Sequence, residues 1–546
     1  MTSPKQPARA PAPGSRRTGR RRAADAPVIL MPLDTAAGRS LQRQVYDGVR
    51  EAILAGRLPP GARLPSTRTL ASELGVSRTT VVAAFDQLRA EGYVAGRHGD
   101  GTRVRAAVPD AVLDIGRTAP SRRRPPAPAA IAGAIGTRDP ETTRTAPVRL
   151  SERGSMLVRA GAQMAPSDGR TPAPFRLGVP AVDAFPARLW ARLTARRWRH
   201  GDVHLGDADP GGEPALRAAI ATYVANARGT RCTADQVIVV SGTQQALDLT
   251  ARVLLDVGDA AWLEDPGYPG ARAAFASAGA RIVPVPVDDE GLDVSAGERA
   301  APDARLAYVT PSHQFPLGAV MSAPRRLSLL AWARRSRAWV VEDDYDSEFR
   351  YSGRPLPCLQ GLDASPRSPG EPTRVLYVGT FNKTLVPGIR MGYLVVPDVL
   401  TDALRAARAA ADRHPPTFTQ GVLADFIGEG HYARHVRRLR ALYAERQSVL
   451  LAAAAEELSG VLTLTPDPAG LHLVAWLPPS VSDIAAEHAA RVHGVEVSAL
   501  SRYTITPSAT PSRQALLLSY AAFDERAIRA GMRRLRRALG TLRVER

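Results

Sequence analysis

Five short apolar runs constrain this chain most: QVIVVSG (236–242), AAWLEDPG (260–267), RLAYVTP (305–311), AWVVEDDYD (338–346) and RVLYVGT (374–380). Stretches with helical spacing separate them. Apolar strands alternating with helices predict a largely parallel α/β sheet. Each run passes directly into polar or glycine-bearing residues. Open α/β sheets carry their ligands at that edge, outside the C-terminal ends of the strands. The pattern sets in after about residue 172.

Residue usage singles out one position beside the last of these runs. The chain has 72 Lys plus Arg, yet only Lys5 and Lys383 are lysine. An amine loses a proton and attacks a carbonyl at physiological pH; a guanidinium does not. If nearly every basic position is arginine, an internal lysine persists best where only an amine works. A Schiff base demands one, with pyridoxal phosphate (PLP) as the leading partner. Chance is the competing explanation, so the neighbours decide.

PLP needs an acid at its pyridine nitrogen, a hydrogen bond to its phenolic oxygen, a ring against its face and an anion site for its phosphate. Asp343 and Tyr345, at the end of AWVVEDDYD, supply a carboxylate and a hydroxyl. In SGTQQALDLTARVLL a helix starts after a strand, so the amides of Thr243 and Gln244 offer a phosphate site. Tyr268 sits in the rigid turn of EDPGYPG and is suited to stacking. Thr380 and Arg390 flank Lys383 within reach of a phosphate. Each motif alone is an ordinary turn or cap; their joint occurrence in this order is the signal.

The N-terminal part has a different character. Residues 1–34 are Pro, Ala and Arg around SRRTGRRR, a solvated basic arm expected to be disordered. LQRQVYDGVREAILAGRL then places Leu41, Val45, Val49, Ile53 and Leu54 on one helical stripe. In LPSTRTLASELGVSRTTVVAAFDQLRAEGYV, Ser66 caps a helix over 67–74, Gly75 and Val76 turn, and Ser77 caps a second helix running to about Glu91. GYVAGRHGDGTRVRA reads as a two-stranded hairpin. Helix, helix-turn-helix and hairpin make a winged helix-turn-helix, mainly α with a β wing. Ser77, Arg78, Thr79 and Thr80 open the second helix of the turn, the part that enters a major groove. Arg68, Arg97, His98 and Arg103 are expected beside the DNA backbone.

Between the two parts, residues 107–171 with SRRRPPAPAA read as an extended Pro/Arg-rich linker. At 546 residues, two or three domains are expected. The net charge of +19 suits a polyanionic partner but equally suits an arginine-biased composition. There is no apolar run of membrane-spanning length and no secretory leader pattern. Two distant cysteines fit a reducing interior, so a cytoplasmic location is expected, with no metal site.

Residues 35–106 closely resemble a GntR-type DNA-binding domain, through the Pro-Ser-x-Arg-x-Leu-Ala and Gly-Val-Ser-Arg-Thr-Thr-Val elements. Residues 172–546 resemble a fold-type I PLP-dependent aminotransferase with its smaller α+β subdomain. The combination resembles the MocR/GabR group of transcriptional regulators, to which PSHQFPLGAVMS and EDDYDSEFRYSGRPLPCLQGLD add weight. The resemblance implies a Schiff base on Lys383, Asp343 at the pyridine nitrogen, Tyr345 at the phenolic oxygen and Tyr268 on the ring. It assigns Thr243, Gln244, Thr380 and Arg390 to the phosphate, and Arg502, with Arg513 as second choice, to an effector carboxylate. It further implies a homodimer joined through the aminotransferase-like domains, with the DNA-binding domains open to exchange between partners. Promoter DNA, together with PLP itself or an amino compound, would be the ligands.

This sequence departs from the group in places. Asn382 replaces the usual serine before the lysine, and Leu205 stands where a tyrosine is expected. Phe315 occupies the place of an aminotransferase asparagine, as it does across the group. Gly270 stands where GABA-sensing members carry arginine, so the resemblance does not extend to GABA as effector. The resemblance favours a regulator without sustained turnover. The alternative is a working aminotransferase fused to a DNA-binding domain, with half-reactions open to the same residues.

Overall fold

The computed structural model describes residues 33–34, 39–97, 101–105, 149–163, 173–201, 206–352, 357–363, 372–506 and 513–544. The chain divides into two compact units, Met1–Ala127 and Pro128–Arg546.

In the first unit, α1 (Leu41–Leu54), α2 (Thr67–Leu74) and α3 (Arg78–Ala90) precede a hairpin of β1 (Val94–Arg97) and β2 (Gly101–Val104). The helix starts follow from their caps. Ser40, Ser66 and Ser77 each accept a hydrogen bond from the backbone N–H three residues on. Gly75 ends α2 with φ at 65°, a left-handed conformation that glycine adopts freely. Val45, Val49, Ile53, Leu70, Val81, Phe85, Leu88 and Val104 close one apolar core. Leu54, placed on the buried stripe by periodicity, is 43% exposed instead. The helix ends there, and the turn through Gly56 carries the chain away.

The second unit begins earlier than expected. Helix α4 (Glu152–Gln163) stands within the stretch read as an extended linker. Its ERGSMLVRAGAQ sequence contains no proline, so the Pro-rich reading reaches too far toward the C-terminus. After it come α5 (Ala187–His200), α6 (Pro214–Arg228), β3 (Val237–Val240), α7 (Thr243–Leu254), β4 (Ala260–Asp265) and α8 (Pro269–Ser277), against which α4 lies. Then follow β5 (Arg281–Asp288), β6 (Gly291–Leu292), α9 (Val294–Ala300), β7 (Leu306–Val309), α10 (Ala323–Arg335), β8 (Trp339–Asp344), α11 (Leu359–Asp363), β9 (Val375–Thr380) and β10 (Gly392–Val395).

These strands form one sheet in the order β3-β10-β9-β8-β7-β4-β5-β6. All five predicted runs are strands, and β9, β8, β7, β4 and β5 are mutually parallel. Strand β10 runs antiparallel between β3 and β9. The short loop carrying Lys383, with a single 3-10 turn at Pro387–Ile389, joins β9 to β10, too little chain for a parallel crossover. Strand β5 escaped the sequence reading because Pro284 and Pro286 interrupt its apolar pattern. It lies near the sheet edge, where proline is tolerated. Helices cover both faces: α7 and α8 one, α6, α9 and α10 the other.

Helices α12 (Thr401–Asp412), α13 (Thr417–Gly428) and the long α14 (His431–Leu458) lead into a small subdomain. There β11 (Thr463–Leu464), β12 (His472–Trp476), α15 (Asp483–Val492), β13 (Ser498–Ala499), β14 (Ala515–Ser519) and α16 (Glu525–Val544) follow. Its antiparallel sheet, ordered β11-β12-β14-β13, packs on α14, α15 and α16. No described helix is long and apolar enough to cross a membrane.

Candidate functional site

The C-terminal ends of β3, β4, β7, β8 and β9 converge on Lys383. Its partly buried Nζ donates to the Gly178 carbonyl at 2.8 Å. Gly178 has φ at 81°, and a Cβ there would lie 3.2 Å from that Nζ. Burial pushes the ammonium below its ordinary pKa, while Asp346 and Asp343 pull it back up. The amine is therefore kept more easily deprotonated than a surface lysine.

Asp343 is buried at the end of β8. Its Oδ2 accepts from the Tyr308 hydroxyl at 2.8 Å, but Oδ1 is buried without a partner. Burial raises its pKa to about 7, opposed by the Tyr308 hydrogen bond. A buried carboxylate oxygen with no donor needs one, and a protonated pyridine nitrogen would supply it. Tyr308, on β7, holds the carboxylate in place. The sequence reading passed over it because it sits within an apolar run.

The phosphate candidates form one cradle. Gly242 caps α7 with φ at 97°, leaving the first amides of the helix open. Arg390 donates to the Ser241 carbonyl at 2.9 Å. A Cβ on Gly242 would lie 3.0 Å from Asn382 Nδ2 and 3.6 Å from the Arg390 guanidinium, so three groups meet here. Arg390 itself adopts φ at 50°, a strained conformation for a non-glycine residue and common at ligand sites. Thr380 Oγ1 accepts from the Asn382 amide at 3.2 Å, which orders the turn. The Oδ1 of Asn382 is buried and unpartnered. Thr243 opens α7 as expected. The Gln244 side chain donates to the Gly270 carbonyl at 3.0 Å and leaves its Oε1 unpaired.

Tyr268 lies in the turn after β4, edge-on to Phe315 at 6.0 Å. Burial, then Asp343, raises its phenol to about 12, against Arg390. A Cβ on Gly270 would come within 2.4 Å of the Tyr268 ring and 2.5 Å of Gln244 Oε1. A long side chain at Gly270 is incompatible with this ring position.

Tyr345 follows β8 with its hydroxyl 3.1 Å from His313 Nδ1. His313 was not singled out from sequence. It is buried, with Nδ1 2.9 Å from Asp346 and Nε2 3.2 Å from Asp467.

Both arginines expected at an effector carboxylate are engaged elsewhere. Arg502 donates to Glu487 of α15 at 2.5 Å, and the Arg513 guanidinium lies 4.2 Å above the Trp476 ring. Sequence position alone did not reveal these local partners. Leu205 lies outside the described residues.

In the first unit, Ser77, Arg78 and Thr79 are exposed at the start of α3 and Thr80 is partly covered. The Ser77 hydroxyl also meets those of Thr79 and Thr80 at 2.7 and 2.8 Å. The cap therefore orders the hydroxyls expected to face DNA. Arg68 is exposed on α2, and Arg97 ends β1 opposite Gly101. Arg103 donates to the Gly61 carbonyl at 3.0 Å, bracing the hairpin on the preceding loop. His98 lies outside the described residues.

A helix-turn-helix module and an aminotransferase fold with a lysine at its sheet edge define a transcriptional regulator built on an enzyme scaffold. Residues 41–104 match the gntR family of bacterial regulatory proteins, and residues 204–535 match aminotransferase class I and II. The chain is 42% identical over 517 residues to the probable rhizopine catabolism regulatory protein MocR of Rhizobium meliloti, covering 93% of this chain and 96% of that one. It is 31% identical over 511 residues to the pyridoxine biosynthesis transcriptional regulator PdxR of Corynebacterium glutamicum, covering 93% and 97%. Among solved structures, LysN, an α-aminoadipate aminotransferase of Thermus thermophilus complexed with N-(5'-phosphopyridoxyl)-L-leucine, matches with a TM-score of 0.61 at 32% identity. That match covers 68% of this chain and 93% of LysN. The chain belongs to the MocR-type transcriptional regulators.

Proposed function

We propose that this regulator binds promoter DNA through α3 and the hairpin, and senses PLP, alone or with an amino compound, at Lys383. The buried, unpartnered Asp343 Oδ1, on a carboxylate that acts electrostatically on Lys383, carries the reading. When bound, PLP supplies an aldehyde that condenses with amines beside an electron-withdrawing pyridine ring. Lys383 would be the amine that reacts with it, kept deprotonatable by burial. Asp343 would hold a proton on the pyridine nitrogen, and Tyr308 would orient that carboxylate. Thr243, Gln244 and their helix amides, with Arg390, Thr380 and Asn382, would bind the phosphate. Tyr268 would cover the ring, and Tyr345 would donate to the phenolic oxygen.

The two winged helices of a homodimer would read a repeated operator. An effector changes DNA affinity only through unequal binding to two conformations. The test is fluorescence anisotropy on DNA that the full-length chain selects from a random library, with PLP titrated alone and then with an amino-acid panel. A change in affinity of about fivefold or more is expected, absent in Lys383→Ala. Affinity indifferent to both ligands would contradict the reading.

A further inference from the structure

His313 sits at the junction of the pocket and the small subdomain, and its two ring nitrogens face two carboxylates and a hydroxyl. Its Nδ1 faces Asp346 Oδ2 at 2.9 Å and the Tyr345 hydroxyl at 3.1 Å, while Nε2 faces Asp467 Oδ2 at 3.2 Å. Asp346 follows β8. Asp467 belongs to the loop before β12, where its other oxygen accepts from the Ala469 amide at 2.9 Å. The remaining titratable neighbour is His472 on β12, with ring centroids 5.9 Å apart. Its Nε2 donates to the Pro316 carbonyl at 3.0 Å, and burial followed by the charge of His313 lowers its pKa.

The fit requires two glycines. A Cβ on Gly470 would come within 2.3 Å of the His313 ring, and one on Gly318 within 2.3 Å of Asp467 Oδ2. A neutral imidazole would aim one lone pair at a carboxylate, so the geometry calls for the doubly protonated ring. Burial alone would lower its pKa, but Asp346 and then Asp467 outweigh that and raise it to about 10.

A doubly protonated ring has no lone pair for the Tyr345 proton. Phe315, edge-on to Tyr345 at 6.1 Å, offers none either. Resting on the cofactor reading above, we propose that His313 is the positioning residue for Tyr345. Held as a cation between Asp346 and Asp467, it leaves the Tyr345 O–H to donate to the cofactor's phenolic oxygen and ties that donor to the small subdomain. No bond forms or breaks at His313; it sets the direction of one hydrogen bond.

The test uses the full-length chain loaded with PLP, following its visible absorbance against pH in wild type, His313→Gln, Tyr345→Phe and the double variant. Losing a directed donor and a nearby cation both favour the protonated cofactor. His313→Gln should therefore raise the midpoint by about one pH unit, and by less than half as much in the Tyr345→Phe background. An equal shift in both backgrounds, or none, would overturn the proposal while leaving the cofactor reading intact. Absence of visible absorbance in wild type would sink both. A measurement on the unmutated, cofactor-free chain covers the case in which His313→Gln does not fold. Histidine ¹⁵N spectra should show one ring still doubly protonated at about pH 8.5, well above the ordinary histidine range; none in that state would overturn the proposal.

Discussion

The winged helix and the lysine pocket reach their geometry by opposite routes. The winged helix is complete between Leu41 and Val104, and each of its helices starts at a serine cap. Its strands pair antiparallel, Val94 with Val104 and Arg97 with Gly101. The pocket instead gathers the Ser241–Gly242 turn, Tyr268, Tyr308, His313, Asp343 and Lys383 from five strands of the sheet, and Gly178 from the loop before α5. It then borrows Asp467 from the small subdomain. The first route needs only local agreement between residues. The second needs the whole sheet in register, so its polar groups wait on long-range packing.

That contrast makes perturbations separable. The largest effect is expected from Phe85→Ala, which empties the centre of the winged-helix core. Deleting such a side chain costs about 3–5 kcal/mol. DNA binding should vanish while the visible absorbance of added PLP survives. Calorimetry should show one transition lost or lowered and the other unmoved; loss of both would break the separation into two units.

A somewhat smaller effect is expected from the pH dependence of the pocket. The folded pKa of His313 is raised, so its stabilisation is fully present below pH about 6.5 and fades as pH rises toward about 10. Urea melts of the cofactor-free chain should lose about 2–4 kcal/mol over that window relative to His313→Gln. The four buried acids with pKa raised to about 7, Glu264, Glu342, Asp343 and Glu348, titrate in both proteins and cancel in the difference. A flat difference would show that His313 is neutral in the folded chain. The smallest effect belongs to Ser77→Ala. Loss of one cap should cost about 1 kcal/mol and reduce DNA affinity, because Thr79 and Thr80 lose their anchor. Unchanged affinity would show that their hydroxyls do not face DNA.

What was legible follows the same division. Caps at Ser66 and Ser77, the hairpin and five strands were readable because each is a local pattern. Lys383 was readable for a chemical reason, as the amine in an arginine-rich chain. Tyr308 and His313 were not, because a tyrosine in an apolar run or a histidine after a strand has no signature until its partners arrive. Asp467, more than 150 residues from His313, shows why. The antiparallel β10 was hidden by its ordinary apolar composition, and α4 by the proline-rich sequence before it. The arginine assignments were the hardest to read, since among so many guanidinium groups only geometry shows each one's local partners.

The central claim is that a single amine inside the aminotransferase-like unit captures the cofactor. Incubating the full-length chain with PLP, reducing with borohydride and mapping the peptides by mass spectrometry tests it most directly. The account predicts one phosphopyridoxyl adduct, on Lys383. An adduct confined to Lys5, or none at all, would contradict it.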